Sequence, residues 1–351
     1  MTDSTTSIPA ESSPAAPTEA LLIQEQGSFA FGGTVVERPD GATVHTDHGY
    51  VQYQIPVNAK KLPIVMWHGY GQSARTWETT PDGREGFQTL FLRRGYPVYL
   101  IDQPRRGRAS TSSEGIYVPG ANDEEFFFTD QAFWDAFRIG EWDRGEQPRF
   151  HAGVQFPQDP ESISQYLRSG AASVGPDGFD DATREVFSDA VAALFDRIGP
   201  AILLIHSTCG AFGWRAASKS ENVKAVVGYE IGPYSYPISE PPAAVPFDIP
   251  ELEPWVAADL IPDESFDRLA RIPIQIVWGD FLQEHAYEWA PYVARSKQFV
   301  AALRERGGDA ENLFLPEIGI HGNTHFPFSD LNSLEIADQL SAWLARKGLD
   351  G

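Results

Sequence analysis

The segment Ala201 to Trp214, AILLIHSTCGAFGW, ends an apolar run in His206-Ser207-Thr208-Cys209-Gly210 and continues into helix-forming residues. Ser207 and Cys209 are both nucleophile types, placed where a strand would turn sharply into a helix. That turn lifts a side chain toward a pocket and needs small residues two positions either side of the nucleophile. With Ser207 as nucleophile the flanks are Ile205 and Cys209, and only the second is small. With Cys209 they are Ser207 and Ala211, both small, so local sterics favour the cysteine. The reading without chemistry is a strand-to-helix cap with Ser or Thr at the N-cap.

Attack on a carbonyl also needs donors for the developing oxyanion, a base, and an acid that orients the base. Trp67-His68-Gly69-Tyr70-Gly71-Gln72 follows an earlier apolar strand, and its glycines allow close backbone approach, with the Tyr70 N–H as donor. Of the eight histidines, His321 and His325 lie in IGIHGNTHFPF, between the last strand and the last helix, where a base belongs. For the acid, the G-x-x-D pattern after IQIVWGD puts Leu282 at its fourth position, and Asp280 comes two residues early. Glu230, ending the strand of VVGYEIG, is the better placed carboxylate.

The elements that would carry these residues alternate. Leu62 to Trp67 is a short continuous apolar strand, EGFQTLFLRRG a helix, and YPVYLI a strand ending at Asp102. DATREVFSDAVAALFDRIG is an amphipathic helix feeding AILLI, and VKAVVGYE, IPIQIVWGD and NLFLPEIG are further strands separated by helices. An opening hairpin is expected from SFAFGGTVVE and HGYVQYQIPV. This grammar predicts an α/β fold with a doubly wound, mostly parallel sheet. Two stretches rich in aromatics and turn residues, about 104–180 and 232–267, interrupt it and read as lid insertions. The expected organisation is a disordered tail over 1–22 and one domain over 23–351.

With 27 Lys+Arg against 49 Asp+Glu, the 351-residue chain carries a net charge of −22, which argues against nucleic acid and anionic membrane surfaces as partners. The single cysteine, Cys209, permits no internal disulfide, and the Ser/Thr/Pro/Ala-rich start has no basic residue or apolar run of the signal-peptide kind. A cytoplasmic location is the expectation, and a homodimer is compatible with it. His321 and His325 are four apart but sit in a Gly-Asn loop without H-E-x-x-H, and no G-x-G-x-x-G or Walker-type loop follows the first strands. Neither a metal nor an organic cofactor is expected.

Taken together, WHGYGQSARTWETTPDGREGFQTLFLRRGYPVYLIDQPRRGRAS, HSTCG, GYEIG and LPEIGIHGNTHFPFSDLN resemble a small family of bacterial α/β-hydrolase esterases typified by an Alcaligenes esterase. The resemblance implies the α/β-hydrolase fold, with Ser207 as nucleophile, Glu230 as acid and His325, not His321, as base. It also implies oxyanion donors at the N–H groups of Tyr70 and Thr208, and it turns the choice of nucleophile to Ser207. The sequence departs from the family at Ile205 and at Tyr70–Gly71. The expected reaction is hydrolysis of a compact, apolar or aromatic carboxylic ester or lactone through an acyl-enzyme. Phe128, Trp134, Tyr234 and Trp255 are the expected substrate-binding aromatics. The alternatives are Cys209 as nucleophile on the same fold, or a non-catalytic small-molecule-binding protein.

Overall fold

A computed structural model describes residues 19–109, 111–113, 129–171, 173–175, 178–250, 253–283 and 289–351. Most of the tail expected over 1–22 lies outside the described residues, as does Phe128. The central sheet has eight strands: β1 (Ile23–Phe31), β2 (Gly49–Pro56), β3 (Ile64–Trp67), β4 (Val98–Asp102), β5 (Ala201–His206), β6 (Val223–Tyr229), β7 (Ile274–Trp278) and β8 (Ala310–Phe314). Their order across the sheet is β1-β2-β4-β3-β5-β6-β7-β8. β1–β2 and β2–β4 pair antiparallel, and all later pairs are parallel. This is the doubly wound, mostly parallel sheet of the α/β-hydrolase fold. The opening hairpin is rearranged: TVVE pairs with Thr43–Thr46 as a separate two-stranded ribbon, and β1 pairs directly with β2.

The apolar runs are continuous because both faces of these strands are covered. Val65, Trp67, Leu203 and Ile205 pack into one layer with α4 (Asp181–Ile198), α5 (Gly210–Lys219) and α8 (Ala290–Glu305). Ile64, Met66, Ile202 and Leu204 pack into the other, with α1 (Phe87–Arg93) and α9 (Ser333–Arg346). The helix feeding β5 is bounded as its sequence predicts. Asp180 caps α4 by accepting from the Thr183 N–H at 2.9 Å, and Gly199 stops it at φ +82°.

Between β4 and α4 the chain forms α2 (Asp130–Ala136), a short hairpin (Gly140–Glu141 with Arg149–Phe150) and α3 (Pro160–Leu167). Thr129 and Asp159 cap those two helices, and Pro160 stands at the first position of α3. Between β6 and β7 it forms a two-stranded parallel ribbon (Ser235–Pro237 with Asp259–Ile261), α6 (Glu253–Val256) and α7 (Asp263–Leu269). Among the described residues no helix is long and apolar enough to cross a membrane.

Candidate active site

β5 carries His206 to the sheet edge, where the chain turns at Ser207 with φ +56°. A left-handed backbone at a residue bearing a Cβ costs roughly 1–3 kcal/mol and persists only where packing dictates it. Packing dictates it here. A Cβ on Gly210 would come within 2.4 Å of the Pro233 carbonyl oxygen, so the turn can close only on glycine. Ile205, the large flank disfavoured by the sequence rule, is accommodated from the helix side. A Cβ on Gly213 of α5 would sit 3.0 Å from Ile205 Cδ1. The requirement for a small residue has moved from strand to helix.

Cys209 is fully buried, and its thiol donates to the His68 carbonyl. Burial pushes that thiol well above its ordinary range, so it stays protonated and points into the core.

His325 Nε2 lies 3.0 Å from Ser207 Oγ, and its Nδ1 lies 3.6 Å from Glu230 Oε2. Glu230 follows β6 at φ +56°, a second left-handed position, which aims its carboxylate across the edge of the sheet. Its Oε1 accepts from the Gly279 N–H and lies 2.7 Å from Arg138 Nη2, with both side chains wholly buried. Gly279, just after β7, lets the His325 loop pass close: a Cβ there would meet the Asn323 and Thr324 carbonyls at 2.7 and 2.8 Å.

Arg138, at φ +62°, was not singled out from the sequence. It donates through Nε to the Asp280 carbonyl at 2.8 Å and lies 4.7 Å from the centre of the Trp289 ring. Its local sequence, DAFRIG, gives no signal of the buried partner.

Burial raises the Glu230 carboxyl above its ordinary range, and the Arg138 guanidinium opposes that rise. Burial, reinforced by the same guanidinium, holds His325 well below its ordinary 6.5. A base must be unprotonated to accept a proton from serine, so if His325 is that base a lowered pKa would keep it competent into mild acid. The acid limb of kcat/KM is therefore expected below pH 6.5, the ordinary histidine value. A profile of ester hydrolysis across acid and neutral pH checks this, and a limb centred above that value contradicts it.

The segment Gly322-Asn323-Thr324 explains how His325 is held. Asp330 accepts from the Thr324 N–H and hydroxyl, both at 2.8 Å, and from Asn323 Nδ2 at 3.1 Å. Asp280 accepts from the Gly322 N–H at 2.9 Å and pairs with His321, whose side chain is 66% exposed. Asp280 and His321 thus brace the loop and do not reach Ser207. His206 Nε2 lies 2.9 Å from the His325 carbonyl, so that nitrogen carries the proton, and burial keeps the ring neutral. Phe137 stacks on the His325 ring at 4.8 Å, and its carbonyl accepts from the His325 N–H at 3.0 Å.

Tyr70 and Thr208 line the same pocket as Ser207, Glu230 and His325. Gly69 brings the Tyr70 loop against the turn: a Cβ on it would stand 2.9 Å from Ser207 Cβ and 2.8 Å from His206 Nδ1. The loop is fixed from both ends, by His68 Nδ1 on the Gly69 carbonyl at 2.9 Å and by the Ala171 N–H on the Gly71 carbonyl at 2.7 Å.

Of the expected substrate-binding aromatics, Trp255 lines the pocket, its ring edge-on to Tyr70 at 5.2 Å. Two expectations need correction. Trp134 is wholly buried among Trp142, Phe150 and Phe156, its indole N–H donating to the Arg149 carbonyl at 3.1 Å. Tyr234, at the start of the second insertion, is buried against Trp214 and Phe299. Both belong to cores and not to the pocket wall, which is completed instead by Ala136, Phe137, Trp289 and Tyr292. Among the described residues no group of His, Cys, Asp or Glu is arranged to hold a metal ion.

No protein-family model matches the chain. A protein named as a probable secreted lipase, from a fungal species (strain ATCC 74256), is 33% identical over 338 residues, covering 85% of this chain and 86% of that protein. A solved bacterial esterase matches at 30% identity with a TM-score of 0.75, over 95% of this chain and 99% of that one. The chain belongs to this bacterial esterase family. The esterase is therefore an ester-hydrolysing α/β hydrolase, and its family likeness spans nearly the whole chain, insertions included.

Proposed function

We propose that the esterase cleaves compact, apolar or aromatic carboxylic esters or lactones through an acyl-enzyme on Ser207. His325 takes the hydroxyl proton as Ser207 Oγ attacks the carbonyl carbon, and the N–H groups of Tyr70 and Thr208 receive the oxyanion. Thr208 stands in the first turn leading into α5, where N–H groups have no partner within the helix. His325 then returns the proton to the leaving alcohol, and water attacks the acyl-enzyme by the same route. Glu230, whose Oε2 lies 3.6 Å from His325 Nδ1, stabilises by its charge the imidazolium that forms in each half-reaction. No metal or organic cofactor enters any step.

The observation that carries this reading is the 3.0 Å separation of His325 Nε2 and Ser207 Oγ at a left-handed turn. The cysteine alternative loses its support because the Cys209 thiol is buried and committed to the His68 carbonyl. The binding-protein alternative would need Ile205 to distort the turn, and Gly213 accommodates that side chain. A serine-directed fluorophosphonate is expected to add once, on Ser207. The adduct should be absent from Ser207→Ala and slowed in His325→Ala. Folded wild-type protein that takes no adduct yet binds a small molecule in the pocket would refute the assignment.

A further inference from the structure

Tyr70 stands in a turn between β3 and a short 3₁₀ helix (Ala74–Trp77), so its N–H is aimed by whatever holds that turn. Arg106, only 2% exposed, bears on it in two ways. Its guanidinium carbon lies 5.9 Å from the centre of the Tyr70 ring, a cation–π distance. Its Nη1 donates to the Ala171 carbonyl at 2.8 Å, and Ala171 donates its own N–H to the Gly71 carbonyl at 2.7 Å. The backbone of Arg106 also bridges that of Ser173, two residues beyond Ala171. One side chain thus meets Tyr70 through its ring and Gly71 through Ala171.

Arg106 does not line the pocket that holds Ser207. Burial pulls its pKa down to about 10, with Tyr70, Cys209 and Asp102 opposing the fall, so it stays charged at neutral pH. A guanidinium is planar and offers several N–H groups in a fixed fork, so it can face a ring and hold a carbonyl at once. Both of its contacts here fall on the segments that set the Tyr70 turn.

We infer that Arg106 is a positioning residue of the proposed oxyanion site, clamping Tyr70 by its ring and Gly71 by way of Ala171 so that the Tyr70 N–H points where the oxyanion forms. The inference rests on the Ser207 reading and on the Tyr70 N–H as a donor. The charge that this donor meets develops only in the transition state, so loss of the clamp falls on kcat and not on KM.

Arg106→Met is expected to lower kcat for a p-nitrophenyl ester by about 10²-fold, the order of a misplacement near 1 Å, with KM little changed. Fluorophosphonate labelling of Ser207 should slow in parallel. The acid limb of kcat/KM should stay at its wild-type position, because the contacts of Glu230 and His325 with Arg138 are untouched. Tyr70→Leu, at a half-buried position, keeps the N–H and removes the ring, and its labelling should slow by about tenfold, the order of one cation–π contact. Native kcat in Arg106→Met, a loss confined to KM, or a moved acid limb overturns the inference. If Arg106→Met does not fold, wild-type labelling rates in Tyr70→Leu overturn it. Wild-type protein that turns over esters without taking the label on Ser207 overturns the serine reading instead.

Discussion

Ser207→Ala is expected to lower kcat for p-nitrophenyl ester hydrolysis by roughly 10⁶-fold, with KM changed far less. The size follows from the arrangement of the site. Ser207 Oγ is the hydroxyl 3.0 Å from His325 Nε2, so on the proposed mechanism the base and the oxyanion donors lose the atom they serve. Residual hydrolysis would come only from those donors acting on attacking water. Cys209→Ala provides the contrast. It removes a buried thiol from the core side of the turn, so it should loosen packing while leaving turnover within about an order of magnitude. Steady-state kinetics on both variants decide the matter. Near-native rates in Ser207→Ala with a dead Cys209→Ala would reverse the assignment.

The second large effect is expected at Arg138. Arg138→Met leaves Glu230 in a fully buried site without its cation, which costs about 3–5 kcal/mol if the charge persists. The alternative is that Glu230 takes up a proton. Burial already raises its pKa, and loss of the opposing guanidinium raises it further. The same loss also lets the His325 pKa rise, because Arg138 helps to depress it. Both changes move the acid limb of kcat/KM to higher pH. At neutral pH the rate should fall by roughly 10²–10⁴-fold, approaching the cost of neutralising a triad acid.

Arg138→Lys keeps a charge near Oε1 but not the fork that reaches the Asp280 carbonyl, so it should recover part of the rate and part of the shift. Urea denaturation and a pH–rate profile on each variant test the two halves of the claim. An unmoved acid limb would reduce Arg138 to a packing residue.

The strands that carry Ser207, Glu230 and the Tyr70 loop were legible because each is a short apolar run followed by a residue type with a chemical role. His325 was harder: two histidines share its loop, and what separates them is the clasp of Asn323 and Thr324 on Asp330. That clasp joins residues six and seven apart and has no periodic signature. Ile205 read as a defect because its compensation, Gly213, lies eight residues on, across the strand–helix interface.

The aromatic stretches misled in a different way. Trp134 and Tyr234 carry the composition of a pocket wall, but whether a large ring faces a cavity or a core depends on three-dimensional neighbours. Phe137 and Trp289 occupy the wall for the same reason and with no stronger signal. Arg138 combines both problems, since its partner lies 92 positions along the chain and its conformation is left-handed.

The insertion between β4 and α4 touches three segments of the proposed site. Arg138 reaches Glu230, the Phe137 carbonyl holds the His325 backbone, the Ala171 N–H holds Gly71, and the Gln155 N–H holds Gly322 at 2.7 Å. For protein engineering this means the insertion is not an interchangeable module. A chimera that exchanges it to alter substrate range would also exchange the struts of the proposed triad and of the Tyr70 loop. Part of the pocket wall and the supports of the proposed site thus share one segment, and libraries that diversify it should hold Phe137, Arg138, Gln155 and the backbone at Ala171 constant.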